Sequence, residues 1–165
     1  IYYVAEQLTN NRDYIPAVAD YIKSKKLKFY WIPYWGADGM GEWKNMKFDT
    51  AFLQPNYAFP QVKPDYDSHF KSIMNYASSK GMDLEMEFDE YALYNNKPGD
   101  YRADRVRDYL RAFKAYGVTT KNKIAYYQSN CMVHSLKTSE YKQDNDLYHE
   151  ICSMIVERQR RRGED

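Results

Sequence analysis

Apolar runs of strand length alternate with helix-patterned stretches five times along this chain, and that rhythm limits the possible folds more than any single motif. The first run, Ile1 to Leu8, gives way at Thr9-Asn10-Asn11 to a helix through about Lys25, with Ile15, Val18, Ala19, Tyr21 and Ile22 on one face. The second, Leu27 to Trp35, ends in Gly36-Ala37-Asp38-Gly39 and leads into a short amphipathic piece, Glu42 to Met46. After the third, Phe48 to Tyr57, Asp67 reads as the N-cap of a helix carrying Phe70, Ile73, Met74 and Ala77 and closed by Gly81. The fourth, Met82 to Asp89, precedes a polar loop, Asn95 to Gly99, and a helix from about Tyr101 to Tyr116. The fifth, Lys123 to Gln128, precedes a loop and a final helix from about Asn145 to Arg161. Strands and helices in alternation imply parallel strands joined by crossover helices, an α/β architecture of (βα) repeats. No linker interrupts the pattern, so a single domain over residues 1–165 is expected.

The fourth run carries the chemistry. In Met82-Asp83-Leu84-Glu85-Met86-Glu87-Phe88-Asp89 apolar and acidic residues alternate strictly, which in a strand puts four carboxylates on one face. Neighbours on that face lie roughly 6.5–7 Å apart, near enough for like-charge repulsion to raise a pKa where water is scarce. A solvated acidic face is the competing structural reading. Pro33 and Pro55 fall late in their runs, where a missing N–H ends ladder pairing, and so mark the C-terminal ends of two strands. Ligands bind at that end in barrels and open α/β sheets alike.

Glu6 closes the first run as Glu87 and Asp89 close the fourth, so the acids are expected at one mouth. Paired carboxylates are the equipment for cleaving a glycosidic bond. Gln54 and Asn56 on the third run, and Tyr126 and Gln128 on the fifth, supply amides and phenols suited to hydroxyl-rich ligands. Tyr34, Trp35 and Tyr57 are candidate stacking platforms for sugar rings, while Trp31 reads as core. A hard-cation site on Glu85, Glu87 and Asp89 is the rival reading, but no loop of EF-hand spacing accompanies them, and no metal is expected.

Eighteen tyrosines help bring the aromatic share to 17%, although mean hydropathy is −0.84. A hydrophilic, aromatic-rich chain leaves many rings partly exposed, as wet binding surfaces do. A net charge of +1 argues against nucleic acid and membrane surfaces as partners. The cluster Arg158 and Arg160-Arg161-Arg162 ends a helix, where cations complement the dipole. No run reaches the ~18–20 apolar residues of a membrane span, and no signal peptide pattern is present. Cys131 and Cys152 are either free thiols or one disulfide. His69 and His149 fall within helices, and His134 lies in the loop after the fifth run as a candidate for the cleft wall. Gly36 to Gly41 lacks both phosphate-loop and dinucleotide spacing, so no cofactor is expected.

Phe29-Tyr30-Trp31-Ile32-Pro33-Tyr34, Leu53-Gln54-Pro55-Asn56-Tyr57 and Leu84-Glu85-Met86-Glu87-Phe88-Asp89 together resemble the family known as domain of unknown function 4855, over nearly the whole chain. The resemblance is to the C-terminal part of a longer family domain. It implies a glycosidase-like TIM-type (β/α)8 barrel, of which five units are present and the N-terminal units are missing, in secreted, periplasmic or surface-attached bacterial proteins. Five units cannot close an eight-stranded barrel, so an N-terminal segment or a second chain is expected against the strands at Ile1 and Ile124. Counting back from an eighth unit, the resemblance implies Glu6 as acid/base and Glu87 as nucleophile, with Glu85 in reserve deeper in the barrel. The expected activity is retaining hydrolysis of an oligosaccharide or polysaccharide. A non-catalytic carbohydrate-binding or surface protein on the same barrel is the alternative.

Overall fold

The computed structural model describes residues 1–95 and 99–163; residues 96–98 of the expected polar loop, and the side chain of Arg162 in the basic cluster, lie outside the described residues. Its elements are β1 (Tyr2–Tyr3), α1 (Ile15–Ser24), β2 (Tyr30–Trp31), β3 (Thr50–Leu53), α2 (Tyr66–Lys80), β4 (Asp83–Phe88), α3 (Ala103–Ala115), α4 (Val118–Lys121), β5 (Ile124–Gln128), α5 (Met132–Thr138) and α6 (Lys142–Arg162). The sheet order is β1-β2-β3-β4-β5, with Tyr2 opposite Tyr30, Tyr30 opposite Thr50, and Phe52 opposite Asp83 in parallel register. This is the α/β class and the sequence-ordered parallel repeat that the alternation implies, consistent with the partial TIM-type barrel that the resemblance implies.

Two compact units divide the chain: Ile1–Asn56 with Ser68–Glu85, and Tyr57–Asp67 with Met86–Asp165. In the first, the core gathers around Phe48, whose ring lies 4.6 Å from Phe29 and stacks on Trp31 at 5.3 Å. Trp31 is fully buried, as expected of a core residue, and burial of side chains this size contributes roughly 1.5–3 kcal/mol each. β2 is short because Pro33 has no N–H to donate, and pairing resumes only as a bridge between Tyr34 and Gln54. α1 starts at Ile15 with Pro16 in its first turn, and it buries Ile15, Ala19 and Ile22 while Val18 and Tyr21 stay exposed. The stretch Glu42 to Met46 forms turns rather than a crossover helix, with Trp43 and Met46 buried and the Trp43 indole donating to Lys80 O at 3.1 Å. α2 begins at Tyr66, so Asp67 sits in its first turn rather than at the cap. Gly81, at φ +63°, closes it: Gly81 N donates to Ser78 O and Met82 N to Ala77 O, the paired bonds of a Schellman ending.

In the second unit α3 ends before Gly117, which is left-handed at φ +72° and turns the chain into α4. The loop expected after β5 is instead helical over α5, so His134 lies on a helix, exposed, and α6 starts three residues early at Lys142. Arg158 on α6 donates to Thr119 O and Asn122 O, both at 3.0 Å. The two cysteines are free thiols. Among the described residues no helix is long and apolar enough to cross a membrane.

Candidate functional site

β4 alternates as its sequence dictates, but both faces are covered. Leu84, Met86 and Phe88 are buried on one side, and Glu85 and Glu87 on the other, with Asp89 buried just beyond the strand. The solvated acidic face is thereby excluded. A buried carboxylate is costly unless donors replace its water, and for Glu87 three do. Oε2 accepts Tyr57 N at 3.0 Å, Ala58 N at 3.3 Å and the Tyr109 hydroxyl. The two amides converge because Asn56 takes a left-handed conformation, φ +56°, at the end of the third run, so that successive N–H groups face one way as in an anion-binding nest.

The segment that supplies these amides is itself pinned from α3. Arg105, buried, donates through Nη1 to Ala58 O at 2.9 Å and Pro60 O at 2.6 Å, and through Nη2 to Gln61 O at 3.3 Å. Arg102, also buried, donates to Phe59 O at 3.1 Å and is balanced by Asp100 at 2.6 Å. Tyr57 is fully enclosed: its ring meets Tyr109 edge-on at 5.8 Å and its hydroxyl donates to Asp108 Oδ2 at 2.7 Å. Burial, with Asp108 adding to it, pushes the Tyr57 phenol well above its usual range. Asp108 is in turn held by Lys63 at 2.6 Å and Arg111 at 2.9 Å. Tyr57 thus has no open ring face for stacking. Asp89 opens a 3-10 turn, its carbonyl accepting Ala92 N at 3.0 Å. Tyr126 stacks on Phe88 at 6.0 Å and 12°, and Gln128 is exposed.

The first unit brings Tyr34, Trp35 and Gln54 together. Gln54 N donates to Pro33 O and Trp35 N to Gln54 O, both at 2.8 Å, while the Tyr34 hydroxyl donates to Gln7 Oε1 at 3.1 Å. Trp35 packs edge-on against Tyr76 at 5.5 Å. Glu6, beside Gln7, is exposed, and Ala5 O before it accepts the Trp31 indole N–H at 2.8 Å. Glu85 is buried mid-strand. His69 ties α2 to Pro55 O at 2.9 Å, and burial holds its pKa below the usual 6.5.

Tyr109, Arg102, Arg105 and Asp108 were not evident as site residues from sequence. The signal available was charge on an apolar face: Arg105 and Asp108 share the helical stripe of Val106, Tyr109, Ala112 and Phe113. Among the described residues no three His, Cys, Asp or Glu side chains gather as a metal site. A groove of ≈ 630 Å³ among α3, α4 and α6 is lined by Arg111, His149 and Arg158 but by none of the candidate catalytic or substrate-binding residues. No curated protein and no solved structure matches the chain. A family model described as Domain of unknown function (DUF4855) matches residues 1–153, and the chain therefore belongs to that family.

Proposed function

We propose that the protein is a carbohydrate-active hydrolase acting outside the cytoplasm on an oligosaccharide or polysaccharide, with Glu87 as nucleophile. The observation that supports this most is the state of Glu87: a fully buried carboxylate at the end of β4, with one oxygen fixed by two peptide N–H groups and a phenol. Such a donor set fixes the carboxyl group in place before substrate arrives, which a nucleophile in glycosyl transfer requires. Glu6, assigned by the family resemblance, would protonate the leaving oxygen and then activate water to release the glycosyl-enzyme. Glu85 and Asp89 are the remaining acids of the strand.

The second reading, a carbohydrate-binding protein without turnover, draws support from the same network: a carboxylate so fully engaged also serves to hold the 57–61 segment in place. Hydrolysis assays on the full chain, with polysaccharides and aryl glycosides, separate the two. Glu87→Gln should lower turnover by at least about 10³-fold while leaving ligand binding intact, since the amide keeps shape but is not a nucleophile. Glu6→Gln should slow poor leaving groups far more than activated aryl glycosides, which scarcely need a proton donor. Small and equal losses in both variants across leaving groups would assign the protein to binding alone.

A further inference from the structure

Three tyrosines from separate segments of the second unit pack in a row. Tyr94 follows β4, Tyr101 leads into α3 and Tyr141 caps α6, with ring centroids 5.4 Å apart for Tyr94 and Tyr101 and 5.3 Å for Tyr94 and Tyr141. Tyr94 and Tyr101 remain 42% and 38% exposed. Two of the phenol heads are engaged: Asn95 Nδ2 donates to the Tyr141 oxygen at 3.0 Å, and Tyr101 hydrogen-bonds Arg107. What the row chiefly offers a ligand is therefore ring surface. Its frame is fixed by Asp144, which is buried and accepts Tyr94 N at 2.8 Å and the Ser139 hydroxyl at 2.6 Å. Asn145 adds bonds to Ser139 O at 2.8 Å and Tyr141 O at 3.0 Å. A surface ordered in advance loses little entropy when it binds.

Beside the row lies an open basin of ≈ 390 Å³, walled by Asn95, Ser135, Thr138, Ser139, Glu140 and Tyr141. That volume falls within the roughly 300–1,000 Å³ of small-molecule sites. Amide, hydroxyls and a carboxylate next to ring surface fit a ligand with C–H faces and hydroxyl edges, which is a saccharide ring. Phosphorylated ligands are disfavoured, because among the described residues the basin wall carries no Lys or Arg. A quaternary ammonium is disfavoured too. A cage for one spaces its rings around the cation, each centroid within about 6 Å of it, whereas these rings already touch one another.

We propose that Tyr94, Tyr101 and Tyr141 with the adjoining basin form an accessory saccharide-binding site on the segments that follow β4 and β5, additional to the carboxylates and resting on the carbohydrate reading given above. The test is affinity electrophoresis of the full chain in native gels cast with mixed-linkage β-glucan, arabinoxylan, galactomannan or soluble starch. At least one gel should retard the wild type. Tyr141→Ala and the basin-filling Thr138→Trp should each weaken that retardation about tenfold, and Glu87→Gln should preserve it. Thr138 is exposed on α5, so its variant decides the matter if Tyr141→Ala does not fold. Passage of the wild type through every gel unretarded overturns the site, as does equal retardation of both variants and wild type, or release by tetramethylammonium. Retention of the gel phenotype without any hydrolysis removes only the enzyme reading. Hydrolysis of aryl glycosides with all variants retarded alike removes only this site.

Discussion

Glu87 shows how an acidic side chain is accommodated inside a protein: one oxygen is met by backbone amides whose own carbonyl neighbours are held by a guanidinium. Arg105 is the keystone of that arrangement, since one side chain satisfies the carbonyls of Ala58, Pro60 and Gln61. Arg105→Met would take the donor from Gln61 O and leave Ala58 O and Pro60 O only their longer bonds from Arg102, at 3.4 and 3.3 Å, at about 1–3 kcal/mol for each acceptor that water cannot reach. We expect a loss of about 3 kcal/mol in urea unfolding. Arg105→Lys should recover less than half of it, because a point-like ammonium cannot span acceptors that a planar fork reaches together. Tyr109→Phe is a milder change that removes one donor from Glu87 and should cost about 1.5–3 kcal/mol. Stability of both Arg105 variants equal to wild type would mean that water reaches the 57–61 carbonyls after all.

Among the ties between the segments after β1 and β2 is Arg12, which donates to Asp38 at 2.9 Å and Glu42 at 2.9 Å. Its hydrogen bonds hold the Asp38 and Glu42 carboxyls below their usual 3.8 and 4.5. The folded chain then holds fewer protons than the unfolded one, so this support is present above those ordinary values and is lost as pH falls through the lower folded ones. His69 acts in the same direction and begins sooner, because burial holds it below 6.5 and acid must charge it. Melting temperature should therefore fall on acidification from about pH 6.5 downward. Arg12→Met should flatten the part of the curve below the Glu42 reference of 4.5, and His69→Gln the part above it. The Arg12 effect, being at the surface, should shrink in about 1 M salt, where screening acts over ~3 Å. These elements also show what sequence discloses. β4 was legible because a two-residue period admits few alternatives, and the Gly81 ending because left-handed backbone favours glycine. The missing second crossover helix and the added α5 were not, since five to seven residues carry too little periodicity to separate a turn from a helix. At the candidate site the carboxylates were legible and their donors were not: no pattern of side chains records which way the peptide N–H of Tyr57 or Ala58 will point, and the Asn56 conformation that aims them leaves only an asparagine as its trace.

Strands of this chain differ in how completely they are covered. β4 has Leu84 through Phe88 buried on both faces, whereas Tyr126, Tyr127 and Gln128 of β5 are exposed. Amide hydrogen exchange should accordingly be slowest along β4 and at least about tenfold faster at the end of β5, as opening free energies follow local burial; equal protection of the two would contradict this picture. Because strand order repeats sequence order, each strand that leaves the ribosome finds its partner already made. The stretch from Tyr57 to Gln61 is the exception. Its carbonyls are met by Arg102 and Arg105, 42 to 48 residues further along the chain, and its amides by Glu87, 29 and 30 residues further. During synthesis this stretch must stay hydrated while strands on either side of it are laid down, and it docks only once the start of α3 has emerged. The order of translation thus places the binding of Glu87 after the start of α3 has emerged, and a pause in translation just before Arg102 would be the place to catch it unbound.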